Sequence, residues 1–166
     1  MAPYSMERGA EIMMKAHCME EWLPGASQQV LPNDENLAAI FAEKAQAVKE
    51  VQALEDILQI DRLGFSPALT AGMHELLDLY VYYVRCYEVA CRAYFLCLKA
   101  EKTKKNADRL ATETALIQME QYAAVVRKRV EKGEYYHEIP RLVSYDRLLS
   151  LSDSIKRHLN AIPEWS

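Results

Sequence analysis

Chain-breaking residues are scarce here, and so are several signatures of chemistry. Five glycines and six prolines in 166 residues fall almost entirely between periodic segments. So few breaks in so long a chain exclude a fold of many short strands and favour helices. Positive charge is also short: twenty Lys and Arg stand against twenty-four Asp and Glu, a net charge of -4 and a pI near 5.6. A nucleic-acid-binding domain is normally basic, with its basic residues gathered on one face, so no nucleic-acid partner is expected. The basic residues present cluster at Lys99–Lys105 and Arg127–Lys132. Both are expected helix ends, where cations interact favourably with the helix dipole.

The four cysteines, Cys18, Cys86, Cys91 and Cys97, contain no C-x-x-C pair. Three share one expected helix at spacings of five and six, which do not bring side chains together. Buried free thiols and a reducing compartment are expected, so cytoplasmic localisation is favoured for the chain as it stands. The opening MAPYSMERGAE has no apolar core of a signal peptide. No metal or cofactor is expected, because His17 and Cys18 are adjacent and would point about 100° apart on a helix.

What is present is apolar periodicity, in a chain that is 51% hydrophobic and of a length suited to one domain. The dominant stretch is ALTAGMHELLDLYVYYVRCYEVACRAYFLCLK, Ala68 to Lys99. It has apolar residues on nearly every side and reads as a long central helix over about 67–101, touching most other elements. Asp78, Arg85, Glu88 and Arg92 interrupt it, and four charges are costly in lipid, so no membrane span is expected. Ser66 is placed to cap it, with Pro67 at the first helical position, where the missing N–H costs nothing. Asp78, Arg85, Arg92 and Lys99 recur every seven residues as a narrow polar stripe. Glu88 stands four residues before Arg92, an order that favours an ion pair. Tyr80, Tyr83, Tyr87 and Tyr94 form a second line.

Four further helices are expected. The first runs from Tyr4 to Leu23, with Ile12, Ala16, Met19 and Leu23 on one face, and stops at Pro24-Gly25. The second starts at Asn33 or Asp34 as N-cap. Its inward stripe is Leu37, Phe41, Val48, Val51 and Leu58, with Ile40, Leu54 and Ile57 beside it, and it should end near Leu63 with Gly64 in the left-handed position. Another covers about Asn106 to Lys132, with Leu116, Met119, Ala123, Val126 and Val130 inward. The boundary at Lys102–Lys105 has neither glycine nor proline. A turn is expected there, because one unbroken helix from Pro67 to Lys132 would run ~100 Å. The last helix begins at Arg141 or Ser144 and reaches Ala161, with Tyr145, Leu148, Ser152, Ile155, Leu159 and Ile162 in one row. Pro163 stops it, leaving Glu164–Ser166 as a tail. The fold class is therefore all-α: an antiparallel bundle of about five helices in one domain, residues 1–166.

Catalytic patterns are weak. A di-iron bundle needs two inward Glu-x-x-His motifs, and the one such spacing, Glu134 to His137, lies in the irregular EYYHEIP segment. There is no G-x-S-x-G elbow and no glycine-rich phosphate loop. The tyrosines suit either a packed core or a surface that contacts sugars or a protein. Tyr80, Tyr83 and Tyr87 are thus candidates for a ligand or partner surface. So are Tyr135, Tyr136 and His137, where tyrosine, histidine and carboxylate converge.

The strings LYVYYVRCYEVACRAYFLCLKA, EQYAAVVRKRV and IPRLVSYDRLLSLSDSIKRHL span the last two-thirds of the chain. With their A-x-x-A-Y step, basic helix end and DRL helix, they resemble the α-helical regions that follow the catalytic barrel in some large bacterial glycoside hydrolases. The resemblance implies a non-catalytic accessory domain excised from a larger carbohydrate-active enzyme. It transfers no catalytic residue, since the barrel is absent. The residues alone admit two alternatives: a stand-alone adaptor or oligomerising bundle, and a small-molecule-binding bundle with a tyrosine-lined pocket. A protein partner or neighbouring domain is expected, and a homo-oligomer is open.

Overall fold

The computed structural model describes residues 31–132 and 145–166, and the expected helix at Tyr4–Leu23 lies outside them. Within them stand four α-helices and no strand: α1 (Asp34–Leu58), α2 (Pro67–Thr103), α3 (Asn106–Glu131) and α4 (Tyr145–Ala161). A short 3-10 turn, Ile60–Arg62, sits between α1 and α2. No helix among the described residues is long and apolar enough to cross a membrane.

Cross-helix contacts give the directions. The start of α1 meets the end of α2 through Asp34 and Lys99, 2.6 Å apart, while the end of α1 meets the start of α2 through Glu55 and His74. Lys99 also reaches Asp108 at the start of α3, and Asp78 near the start of α2 pairs with Arg129 at the end of α3. Arg109 bonds Asn160, and Glu120 holds both Ser152 and Lys156 of α4. Sequence neighbours are therefore antiparallel throughout. α2 packs on α1, α3 and α4, the central position expected of it.

The helix starts form as the side chains dictate. Asn33 Oδ1 accepts from Asn36 N–H at 2.8 Å, and Ser66 Oγ accepts from Leu69 N–H with Pro67 in the first turn. α1 ends at Leu58, five residues before the expected Leu63. Gln59 takes the left-handed conformation (φ 45°, ψ 48°) and its N–H closes on Glu55 O. The chain then re-turns in a 3-10 bend that buries Ile60, and Gly64 supplies a second positive φ beyond it. The expected turn between α2 and α3 is present, and a lysine makes it: Lys104 is left-handed (φ 53°, ψ 28°), which costs a side-chain-bearing residue roughly 1–2 kcal/mol.

That turn is held from two sides. Asp108 is buried and bonds the Thr103 hydroxyl at 2.6 Å and the Lys99 ammonium at 2.9 Å. The expected tail, Glu164–Ser166, docks on it through Trp165 and Ser166. Ser166 N–H donates to Lys104 O and Asn106 N–H donates to Ser166 O, both at 2.8 Å. Arg109 lies over the Trp165 ring, 5.2 Å from its centre.

The core follows the expected stripes where helices overlap. Leu37, Ile40 and Val48 of α1 are buried, as are Leu116, Met119, Ala123 and Val126 of α3, and Leu148, Ser152, Ile155 and Leu159 of α4. From Cys86 to Ala100, α2 buries Cys86, Ala90, Cys91, Ala93, Tyr94, Phe95, Cys97, Leu98 and Ala100. The far end of the α1 stripe departs from expectation: Ile57 and Leu58 are exposed, because α1 stops and the chain bends away before another helix covers them.

Candidate interaction surface

The end of the bundle where α1 gives way to α2 carries apolar side chains that are exposed among the described residues. Ile57, Leu58, Leu63, Phe65, Leu69, Leu76 and Tyr80 are each 40–68% exposed. Their placement follows from the local chain path. Leu63 and Phe65 flank the cap that starts α2, in a segment that must turn. Leu69, Leu76 and Tyr80 lie seven and four residues apart, on one face of the first turns of α2.

The tyrosine line extends that face toward the core. The rings of Tyr80 and Tyr83 are centred 6.4 Å apart and those of Tyr83 and Tyr87 5.1 Å apart, within the range of tilted aromatic pairs. Tyr80 is exposed, while Tyr83 and Tyr87 are half-buried against the core. The structure therefore gathers three of the expected site residues into one ladder that runs from solvent into the protein. Tyr94, on the same expected line, is buried and edge-on to Phe95, so its role is packing. Tyr135, Tyr136 and His137 lie outside the described residues.

One titratable group stands at the edge of this surface. His74 bridges α1 and the 3-10 turn: Nδ1 is 2.8 Å from Glu55 Oε1 and Nε2 is 3.1 Å from Asp61 Oδ1. The hydrogen bond to Asp61, helped by the Glu55 hydrogen bond and the two carboxylate charges, raises its pKa above 6.5 against the opposing effect of desolvation. Nearby, Asp78 of the polar stripe pairs with Arg129. Glu88 pairs backward with Arg85 and not forward with Arg92 as expected; the Arg92 guanidinium instead sits over the Phe41 ring, 4.6 Å from its centre.

Among the described residues, Cys86, Cys91 and Cys97 do not offer nucleophiles. Burial pushes Cys86 and Cys91 up to about 12 and Cys97 well above its usual value, so the thiolate is scarce at neutral pH. His158 contacts Glu101 at 3.3 Å across α4 and α2, a coupling that joins two helices. No group of three metal-ligating side chains occurs among the described residues.

The described surface includes grooves of about 570, 510 and 310 Å³. The first lies between α2 and α3 and includes Arg85 and Arg92. The second, between α1 and α2, is lined by Val51, Glu55, His74 and Asp78 among others. The third lies between α3 and α4 at Leu116, Ile117 and Lys156. None of these three counts Tyr80, Tyr83 or Tyr87 among its lining residues.

Sequence reasoning passed over Leu63, Phe65, Leu69 and Leu76. The available signal was the run LGFSPAL, in which large apolar residues crowd a capped turn. No protein-family model matches the chain, and no similar curated protein or solved structure was found. The resemblance to helical regions of glycoside hydrolases thus stands on the quoted residues alone.

Proposed function

We propose that this chain is a non-catalytic helical interaction domain that presents the α1–α2 end and its tyrosine ladder to a protein partner or neighbouring domain. The observation that carries the reading is the group of seven exposed apolar side chains at that end. Soluble monomers rarely leave large contiguous apolar patches exposed, and those that do commonly use them for association. Tyrosine at the margin suits a surface that is apolar in the middle and wet at the rim. In the form implied by the resemblance, the neighbour would be the rest of a carbohydrate-active enzyme, which would supply the chemistry.

The test is the triple substitution Leu63→Lys, Leu69→Lys and Leu76→Lys. The expected outcome is an unchanged cooperative melt together with loss of binding of an apolar fluorescent dye such as ANS. Collapse of the melt would show that these side chains serve the fold and are not available to a partner. Specific turnover by the purified chain in a broad hydrolase screen would overturn the non-catalytic reading.

A second reading, self-association, is favoured by a separate stripe. Leu110, Ile117 and Val125 are exposed on one side of α3, at spacings of seven and eight that suit helix pairing. Sedimentation equilibrium decides it: a monomer at all concentrations ends this reading, and a dimer that dissociates with Ile117→Glu supports it.

A further inference from the structure

The geometry points to the groove between α2 and α3 as a binding site for a small anion, a carboxylate or phosphate monoester with a short apolar body. The groove holds about 570 Å³, within the range of small-molecule sites. Its polar groups converge from two helices: Arg85, Glu88 and Arg92 on α2, and Gln118, Gln121 and Tyr122 on α3.

The charges in it are unequally satisfied. The Arg85 guanidinium is neutralised by Glu88, three residues on. Arg92 is half-buried and has no carboxylate within ion-pair distance among the described residues; its contact is the face of Phe41. A guanidinium stacked on a ring keeps its in-plane N–H groups for a planar acceptor, the arrangement that binds a carboxylate or phosphate with two parallel hydrogen bonds. The stack also restrains the side chain, so less freedom is lost when an anion docks. The groove thus carries one unmatched positive charge on a chain whose net charge is -4.

The remaining walls set the ligand body. The register that pairs Asp78 with Arg129 and Lys99 with Asp108 brings Arg92 opposite Ala115 and Gln118, and Arg85 opposite Gln121 and Tyr122. An anion on Arg92 would therefore extend its body along Val89 toward Val125. The side-chain amides of Gln118 and Gln121 are placed to bond oxygen or nitrogen on that body. Tyr122 is already committed, its hydroxyl donating to Tyr82 O at 3.4 Å, so it forms a fixed wall.

The experiment is an NMR titration of the full chain with butyrate and, separately, inorganic phosphate, following the side-chain amides of Gln118 and Gln121 and the Arg92 Nε–H. Saturable shifts at these groups, with a dissociation constant on the order of 1 mM, are expected. Tighter binding of butyrate identifies a carboxylate with an apolar body; tighter binding of phosphate identifies a phosphate monoester. Arg92→Gln should weaken binding by about tenfold or more, because a charge-assisted bond is lost. Arg92→Lys should fall between, since it keeps the charge without the fork. Gln121→Ala, at an exposed position that cannot disturb folding, should weaken binding by about threefold. Arg127→Gln, outside the groove, should change nothing. Non-saturable shifts with both probes, or equal affinity in Arg92→Gln and the wild type, overturn the assignment.

Discussion

The two halves of α2 look alike in composition and behave differently. From Pro67 to Arg85 the helix buries Tyr82 alone, whereas from Cys86 to Ala100 nine side chains are buried. Both halves are rich in Leu, Tyr, Val and Ala, so apolar content does not account for the contrast. Coverage does. α2 has 37 residues and α4 has 17, roughly 56 Å against 26 Å of helix. A contact between them, Glu101 to His158 at 3.3 Å, lies in the last turns of α2. The second half is enclosed by α1, α3 and α4, while the first half shows Leu69, Leu76 and Tyr80 to solvent. Equal apolar content thus becomes core in one half and an exposed face in the other.

The sharpest way to break this comparison is one chemical change made in each half. Leu98→Ala, at a fully buried site, should cost about 2–5 kcal/mol of unfolding free energy. Leu76→Ala, at a site 59% exposed, should stay within about 0.5 kcal/mol. Urea denaturation followed by circular dichroism reads both, and similar costs would mean that the first half is covered after all.

A smaller effect sharpens the account of where the second half ends. Lys104→Gly relieves the left-handed strain of roughly 1–2 kcal/mol and adds back part of that as unfolded-chain entropy. A net stabilisation of about 0.5–1 kcal/mol in the same denaturation experiment is expected. A loss of stability would show that the lysine side chain, and not the docked residues 163–166, holds the turn.

The least effect should come from the His74 clamp on the first half. Its folded-state pKa is raised above 6.5, so protonation favours the folded form. The stabilisation is fully present below pH 6.5 and fades as pH rises through the folded value. Melting temperatures of wild type and His74→Gln should therefore differ most in mild acid and converge with rising pH. A gap that is constant across that range would remove the ionic clamp. The groups that face His74 are Glu55 and Asp61, both acidic, so the direction is set.

Much of the fold was legible because its signals are local. Asn33 and Ser66 cap helices since their side chains reach N–H groups three residues on, and the row Leu148, Ser152, Ile155, Leu159 is buried as its spacing requires. The break between α2 and α3 was legible from length alone, though the lysine that makes it was not. Partner choices were the least legible. Glu88 had two arginines in helical reach, and the structure joins it to Arg85 while the Arg92 guanidinium lies over Phe41 of another helix. The docking of Trp165 and Ser166 depends on a turn some sixty residues earlier, beyond any local pattern. Of the expected site residues, Tyr80, Tyr83 and Tyr87 are brought together because a helix imposes that spacing.

By itself, then, the sequence determined the helices, their caps and the faces able to be buried, since these depend on contacts within about four residues. The tertiary structure decided which of those faces are buried. That outcome depends on relative helix length and overlap: α4 is less than half as long as α2, and the apolar stripe of α2 continues where its neighbours have ended. The exposed leucines of α2 arise there, from a long helix meeting shorter partners, whereas Arg92 lies in the enclosed half, against the Phe41 ring of α1.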